Sequence, residues 1–160
     1  MSLLATYLND HLAGATAGRE LARRAARSNR GDERYGPPTA LLAAEIDEDR
    51  RSLLAVMGAL GVGTDRVKVA AGWGAEKAGR LKPNGRLFWY SPLSRLVELE
   101  GLTLGVHGKL AIWQSLSTVL GEDPRVSAID FERLAGRARA QLERLEELRL
   151  EAAGEALEAS

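Results

Sequence analysis

Apolar residues recur every three or four positions along most of the chain, which is the spacing of one face of an α-helix. No stretch shows the strict alternation of apolar and polar residues that marks a half-buried strand. The pattern predicts five helices, at about residues 3–28, 39–60, 65–80, 92–120 and 124–156. We therefore expect an all-α protein with a single domain that spans residues 1–160.

Helix start and stop signals support these bounds. The stretch "SNRGDERYGPP" contains a glycine and two prolines, which separate the first helix from the second. Gly61 ends the second helix. At 91–92 and again at 123–124, a side chain that can cap a helix precedes a proline, and both pairs predict a helix start.

The connection between the helices at 39–60 and 92–120 is much longer than the other connections. It runs from Gly61 to Ser91 and includes the short helix predicted at 65–80. Four long helices with one long crossover match the connectivity of the bundles that include the ferritin-like folds. We expect a four-helix bundle with the crossover between its second and third long helices.

Two stretches carry a resemblance to a known group of proteins. They are "YLNDHLAGATAGRELARRAA" in the first helix and "EIDEDRRSLLAVMGALGV" in the second. Together with the helix lengths and the middle crossover, they resemble an uncharacterised bacterial branch of ferritin-like bundles. The resemblance covers most of the chain and implies the ferritin-like fold. It also suggests a search for a di-iron site, since many ferritin-like proteins hold one in the bundle core.

The di-iron motif of those proteins is absent from the sequence. That motif places a Glu-x-x-His pair on each of two helices, whereas both histidines of this chain follow a leucine at that spacing. A nonstandard site is the alternative. Its candidate ligands lie at or beside the apolar faces of three helices, and they are His11, Asp49, Glu100 and His107. Carboxylates and imidazoles of this kind suit zinc, manganese or iron.

The competing interpretation makes these polar side chains determinants of the fold. A buried carboxylate requires a partner, and Arg50, Arg95 and Lys109 lie in helical register to provide one. Such pairs can fix the register of neighbouring helices. We favour this interpretation and expect no cofactor, with a divalent transition metal as the alternative.

Glycines recur inside the predicted helices, where each costs about 1 kcal/mol relative to alanine. Gly14 and Gly18 lie four residues apart in the first helix, and Gly101, Gly105 and Gly108 lie in the helix predicted at 92–120. Small residues at this spacing let helix backbones approach closely. We expect a close-packed seam between these helices or between subunits, and the alternative is that the glycines make room for a ligand.

The crossover combines basic and aromatic residues. The candidates there for binding a cofactor or a small anionic ligand are Trp73, Lys77, Arg80 and Trp89. Basic residues beside aromatic ones also bind single-stranded nucleic acid. The formal net charge is +0, and the chain has no nucleic-acid-binding motif, so we do not expect nucleic acid as a partner.

The last helix is rich in arginine in its first half and in glutamate in its second half. An antiparallel copy of this helix would set bases against acids, which favours a homodimer. The alternative, and the more ordinary explanation, is a solvated charged face. No segment reaches the roughly 18 apolar residues of a membrane span, and the first residues lack the pattern of a secretory signal. Cysteine is absent, and we expect a cytoplasmic protein.

The sequence contains no P-loop, no Rossmann glycine pattern and no Gly-x-Ser-x-Gly motif. We expect a noncatalytic ferritin-like bundle that acts through assembly or protein binding. One alternative is a metal-binding bundle, redox-active or not, at the four candidate ligands. The other is a bundle that binds a small anionic or apolar ligand under the crossover, in a pocket beside Trp73 and Trp89.

Overall fold

The computed structural model describes residues 2–65 and 90–158 of the chain. Within these ranges it contains four α-helices, one short 3-10 turn at Pro124–Val126 and no strand. The helices are α1 (Leu3–Ser28), α2 (Gly36–Ala59), α3 (Pro92–Leu120) and α4 (Phe131–Leu157). The prediction of an all-α protein is confirmed for the part of the chain that the structure describes. The helix predicted at 65–80 lies outside the described residues except for its first residue.

The observed helix ends differ from the predicted ones at two places. α2 begins at Gly36, a few residues before the predicted start, because prolines are tolerated in a first turn, where their missing N–H breaks no helical hydrogen bond. Pro124 begins the 3-10 turn rather than the last helix. α4 begins after Asp130, whose side chain accepts a hydrogen bond from the backbone N–H of Arg133 at 2.8 Å.

Neighbouring helices run in opposite directions. The short turn at residues 29–35 joins α1 to α2. Arg24, near the end of α1, pairs with Glu98 near the start of α3 at 2.7 Å. Arg95, near the start of α3, pairs with Glu155 near the end of α4 at 2.8 Å. α2 and α3, which the crossover connects, therefore run in the same direction.

The core lies between the four helices. Each helix contributes large side chains that are at most 1% exposed, among them Leu8, Leu12, Leu42, Trp113 and Leu145. Burying one such side chain contributes about 1.5–3 kcal/mol, so the apolar faces read from the sequence hold the helices together. Among the described residues, no helix has both the length and the apolar composition that crossing a bilayer requires.

Candidate functional site

A partly open cavity of about 310 Å³ lies between α1, α2 and α3. Four glycines contribute to its wall, Gly14 and Gly18 from α1 and Gly105 and Gly108 from α3. A Cβ atom added at any of the four would meet no atom of another described element within 4 Å. Because these four glycines also line the cavity, the space that they leave belongs to it.

The predicted close-packed seam between α1 and α3 is wrong at these four positions. Gly101 does have a close neighbour, because a Cβ atom there would lie 3.0 Å from Cδ2 of Leu21. Small residues at this spacing clear a groove on a helix, but the spacing does not decide whether a neighbouring backbone or another molecule fills it. A seam between subunits stays a prediction.

The rest of the cavity wall is mainly apolar. Ile46 and Leu53 come from α2, and Val106, Ile112 and Trp113 come from α3. All five are buried. The indole Nε1 of Trp113 is also buried, and it has no hydrogen-bond acceptor among the described residues. A concave apolar wall with few polar groups is typical of a small-molecule site.

Asp49 is the buried carboxylate in this wall, and its side chain is 2% exposed. Its Oδ2 atom accepts hydrogen bonds from Nζ of Lys109 at 2.5 Å and from Nε2 of Gln141 at 3.1 Å. Its Oδ1 atom accepts a hydrogen bond from Arg137. Two cations thus compensate one buried anion, and both carboxylate oxygens have donors, as a buried charge requires.

Only one of the three partners of Asp49 was among the candidates predicted from the sequence. Lys109 is one of the three basic residues that the helical register offered, and the structure places it on Asp49. Arg137 and Gln141 of α4 were missed. Gln141 carried a signal, because it is a polar residue between Ala138 and Leu145 on the apolar face of α4, and its side chain is fully buried.

The charges around Asp49 continue along α2 and α4. Glu45 Oε2 accepts hydrogen bonds from Gln141 Nε2 and from Arg144, both at 3.1 Å. Arg137 also pairs with Glu48 at 2.8 Å. Burial lowers the pKa of Lys109 from its usual value, and the Asp49 carboxylate acts against this shift. These bonds fix the register of α4 against α2.

The structure does not bring the four predicted metal ligands together. Asp49 and the half-buried His11 line the cavity, whereas Glu100 and His107 are exposed on α3. Within residues 2–65 and 90–158, no group of three or more His, Asp or Glu side chains is placed to hold a metal ion. The predicted cofactor-binding residues of the crossover, Trp73, Lys77, Arg80 and Trp89, lie outside the described residues.

His11 places a titratable side chain at the cavity. Its ring contacts Tyr7 edge-on, with the ring centroids 4.5 Å apart. Burial lowers the pKa of His11 from its usual value of 6.5, and the neighbouring Asp10 carboxylate acts against the shift. The folded protein therefore binds a proton at His11 less readily than the unfolded chain does.

This shift makes stability depend on pH. The contribution of His11 is fully present above pH 6.5 and is lost as the pH falls through 6.5 toward the lower pKa of the folded state. Urea midpoints measured at about pH 7.5 and about pH 5.5 should differ less in His11→Gln than in the wild type. The exposed His107 provides the control, and His107→Gln should keep the wild-type difference. An unchanged difference in His11→Gln would contradict the assignment.

The charged halves of α4 are engaged within the chain. Arg137 and Arg144 pair with α2. Arg34 lies 3.7 Å from Glu151 and 3.8 Å from Glu155. These contacts explain much of the charge pattern without a second copy of the helix, and the homodimer stays a prediction.

Comparison with protein-family models, with curated protein sequences and with solved structures finds no match for this chain. The resemblance to ferritin-like bundles therefore stays a prediction. A function has to be argued from the residues of the chain itself. The features they offer are an apolar cavity between three helices, four glycines that keep it open and charged groups at its margin.

Proposed function

We propose that this chain is a ferritin-like helical bundle that binds a small, mainly apolar molecule in the cavity between α1, α2 and α3. The four glycines of the wall carry the proposal. Each glycine costs a helix about 1 kcal/mol relative to alanine, and no described atom of another element uses the space that they leave. A ligand that occupies this space would explain why the helices contain glycine at these positions in spite of the cost.

The size and lining of the cavity support the same function. Its volume of about 310 Å³ lies at the lower end of the roughly 300–1,000 Å³ range of small-molecule sites, so the ligand is small. Ile46, Leu53 and Val106 would contact the apolar part of such a ligand. Burial of apolar surface, at about 25 cal/mol per Å², would drive binding.

The polar groups of the wall favour binding over catalysis. Asp49 and Lys109 already bond to each other and to Gln141. A general acid or base must come within hydrogen-bond reach of the proton that it transfers, and these groups are engaged in holding the helices together. The geometry also favours ligand binding over assembly, since the glycines open a space within one chain.

Filling the cavity tests this function. In the double variant Gly14→Leu, Gly105→Leu, one side chain from α1 and one from α3 would enter the space. We expect the wild-type protein to bind 1-octanol, and the double variant to bind it about tenfold more weakly or not at all. Calorimetric titration measures both affinities. Each substitution favours helix formation by about 0.8 kcal/mol, so lost binding would not reflect lost folding.

Gly58→Leu is the matched control. Gly58 is also an exposed glycine in a helix with no described neighbour within 4 Å, but it does not line the cavity. This variant should bind 1-octanol as the wild-type protein does. The proposed function fails if the wild-type protein binds none of the probe, or if the double variant binds it with wild-type affinity.

A further inference from the structure

We infer that the ligand of this cavity carries a carboxylate at the end of its apolar tail, and that Arg50 binds this carboxylate. The inference rests on the proposed ligand-binding function. Arg50 comes from α2 and lines the cavity. It is half-buried, and its Nε atom donates a hydrogen bond to the hydroxyl of the buried Thr16 at 3.1 Å. The Thr16 hydroxyl in turn donates to the backbone carbonyl of Leu12 at 2.8 Å, so α1 holds the Nε edge of the guanidinium.

Arg50 has no ion-pair partner among the residues that the structure describes. The described carboxylates near Arg50 are already paired with other arginines. Among the described residues, the carboxylates that act on Arg50 are Glu20 and Asp47. They pair with the other members of an arginine cluster, Arg19, Arg23 and Arg51. Four arginines thus face two carboxylates. Burial lowers the pKa of Arg50, and the charge of Arg19 adds to this shift, so an added anion would relieve an unfavourable arrangement.

The other charges of the wall do not compete for such an anion or repel it from Arg50. Asp49 is neutralised by Lys109 and Arg137. Asp10 lies beside His11, six residues before Thr16 on α1, which corresponds to about 9 Å along the helix. The cavity therefore has a positive end at Arg50, and its acidic margin is at the other end.

The chemistry of arginine selects a carboxylate. A guanidinium offers several N–H groups in one plane, and it binds a carboxylate through two parallel hydrogen bonds. In Arg50 the Nε–H is occupied by Thr16, so the N–H groups of the two terminal nitrogens would bind the carboxylate. One arginine balances one negative charge, which fits a monocarboxylate better than a phosphate monoester. A protonated amine at this end would be repelled by Arg19 and Arg50.

Three probes with the same apolar tail test the inference. Octanoate, 1-octanol and octylamine differ in charge at one end, and calorimetric titration at neutral pH compares them. We expect the wild-type protein to bind octanoate about tenfold more tightly than 1-octanol, with octylamine the weakest. Arg50→Met should bind octanoate no more tightly than 1-octanol, because the group that distinguishes the two probes is removed. Arg50→Lys should retain part of the preference for octanoate.

Arg51→Met is the matched control, because Arg51 belongs to the same arginine cluster but does not line the cavity. It should keep the wild-type preference for octanoate. Circular dichroism of each variant establishes that it is folded. Equal affinities of the wild-type protein for octanoate and 1-octanol would overturn the inference and leave the proposed function standing. Binding of neither probe would overturn both, and a preference for octanoate that survives in Arg50→Met would overturn the role of Arg50.

Discussion

Replacing Asp49 with alanine is expected to destabilise the protein by about 3–5 kcal/mol, because the substitution removes the ion-pair partner of Lys109 and one of the two carboxylates that pair with Arg137. Lys109 and Arg137 both bond to the Asp49 carboxylate, and the side chains of these two residues are 13% and 15% exposed. Gln141 would also lose an acceptor for its amide. Urea-induced unfolding, followed by circular dichroism, measures the change in the free energy of unfolding.

An exposed ion pair of α4 provides the control. Glu146 pairs with Arg149 at 2.8 Å, and its side chain is 52% exposed. Surface pairs of this kind contribute less than about 1 kcal/mol, so Glu146→Ala should have a small effect. If Asp49→Ala lowers the free energy of unfolding by no more than Glu146→Ala does, then Asp49 is not held as a buried, compensated charge.

A triple variant separates the cost of an unpaired charge from the value of the pairing itself. Asp49→Leu alone removes the anion and leaves both cations in place, whereas Asp49→Leu together with Lys109→Met and Arg137→Met removes the anion and the two cations that bond to it. Buried ion pairs that are replaced as a set by apolar residues often cost little or even stabilise a protein. The triple variant should therefore be more stable than Asp49→Leu alone, which is a strongly non-additive outcome.

The helices could be predicted from the sequence because each one repeats its apolar face over many turns. The start of α4 could not be predicted in this way. Asp123 and Asp130 are both good N-cap residues, and each accepts a hydrogen bond from a backbone N–H after it. Val126, between them, is 2% exposed, and a residue buried in the 3-10 turn belongs to the tertiary packing, which no local pattern displays.

The candidate site was predicted in part for a similar reason. The position of Asp49 on the apolar face of α2 predicted a buried carboxylate that needs a partner, and Lys109 was among the partners considered. Arg137 and Gln141 depend on the register of α4 against α2, which two separate helices do not reveal. Gly14 and Gly18 on α1, and Gly101 and Gly105 on α3, have the four-residue spacing that clears a groove on a helix face. Whether the neighbouring helix closes this groove depends on the distance between the helices.

Replacing Arg95 with methionine is expected to cost about 3 kcal/mol, since hydrogen bonds to charged groups contribute about 1.5–3 kcal/mol each and several are lost together. Its guanidinium donates to Asn29 at 2.8 Å, to Glu155 at 2.8 Å and to Asp32 at 3.1 Å. Its central carbon also lies 4.0 Å from the ring centroid of Tyr35. One side chain thus joins α3 to the end of α1, to the turn before α2 and to the end of α4.

A positive charge alone should not replace Arg95, because the contacts of its guanidinium have fixed directions. A hydrogen bond from the backbone N–H of Tyr35 lowers the pKa of Asp32, and Arg95 contributes to this shift, so this partner is ionised at neutral pH. Arg95→Lys keeps the positive charge but loses the planar fork that reaches three acceptors at once, so we expect it to recover only part of the loss. Arg34→Met, at a residue that is 61% exposed and pairs with Glu151 and Glu155, should cost less than about 1 kcal/mol. Full recovery in Arg95→Lys would mean that the charge, and not the geometry of the guanidinium, holds this end of the bundle together.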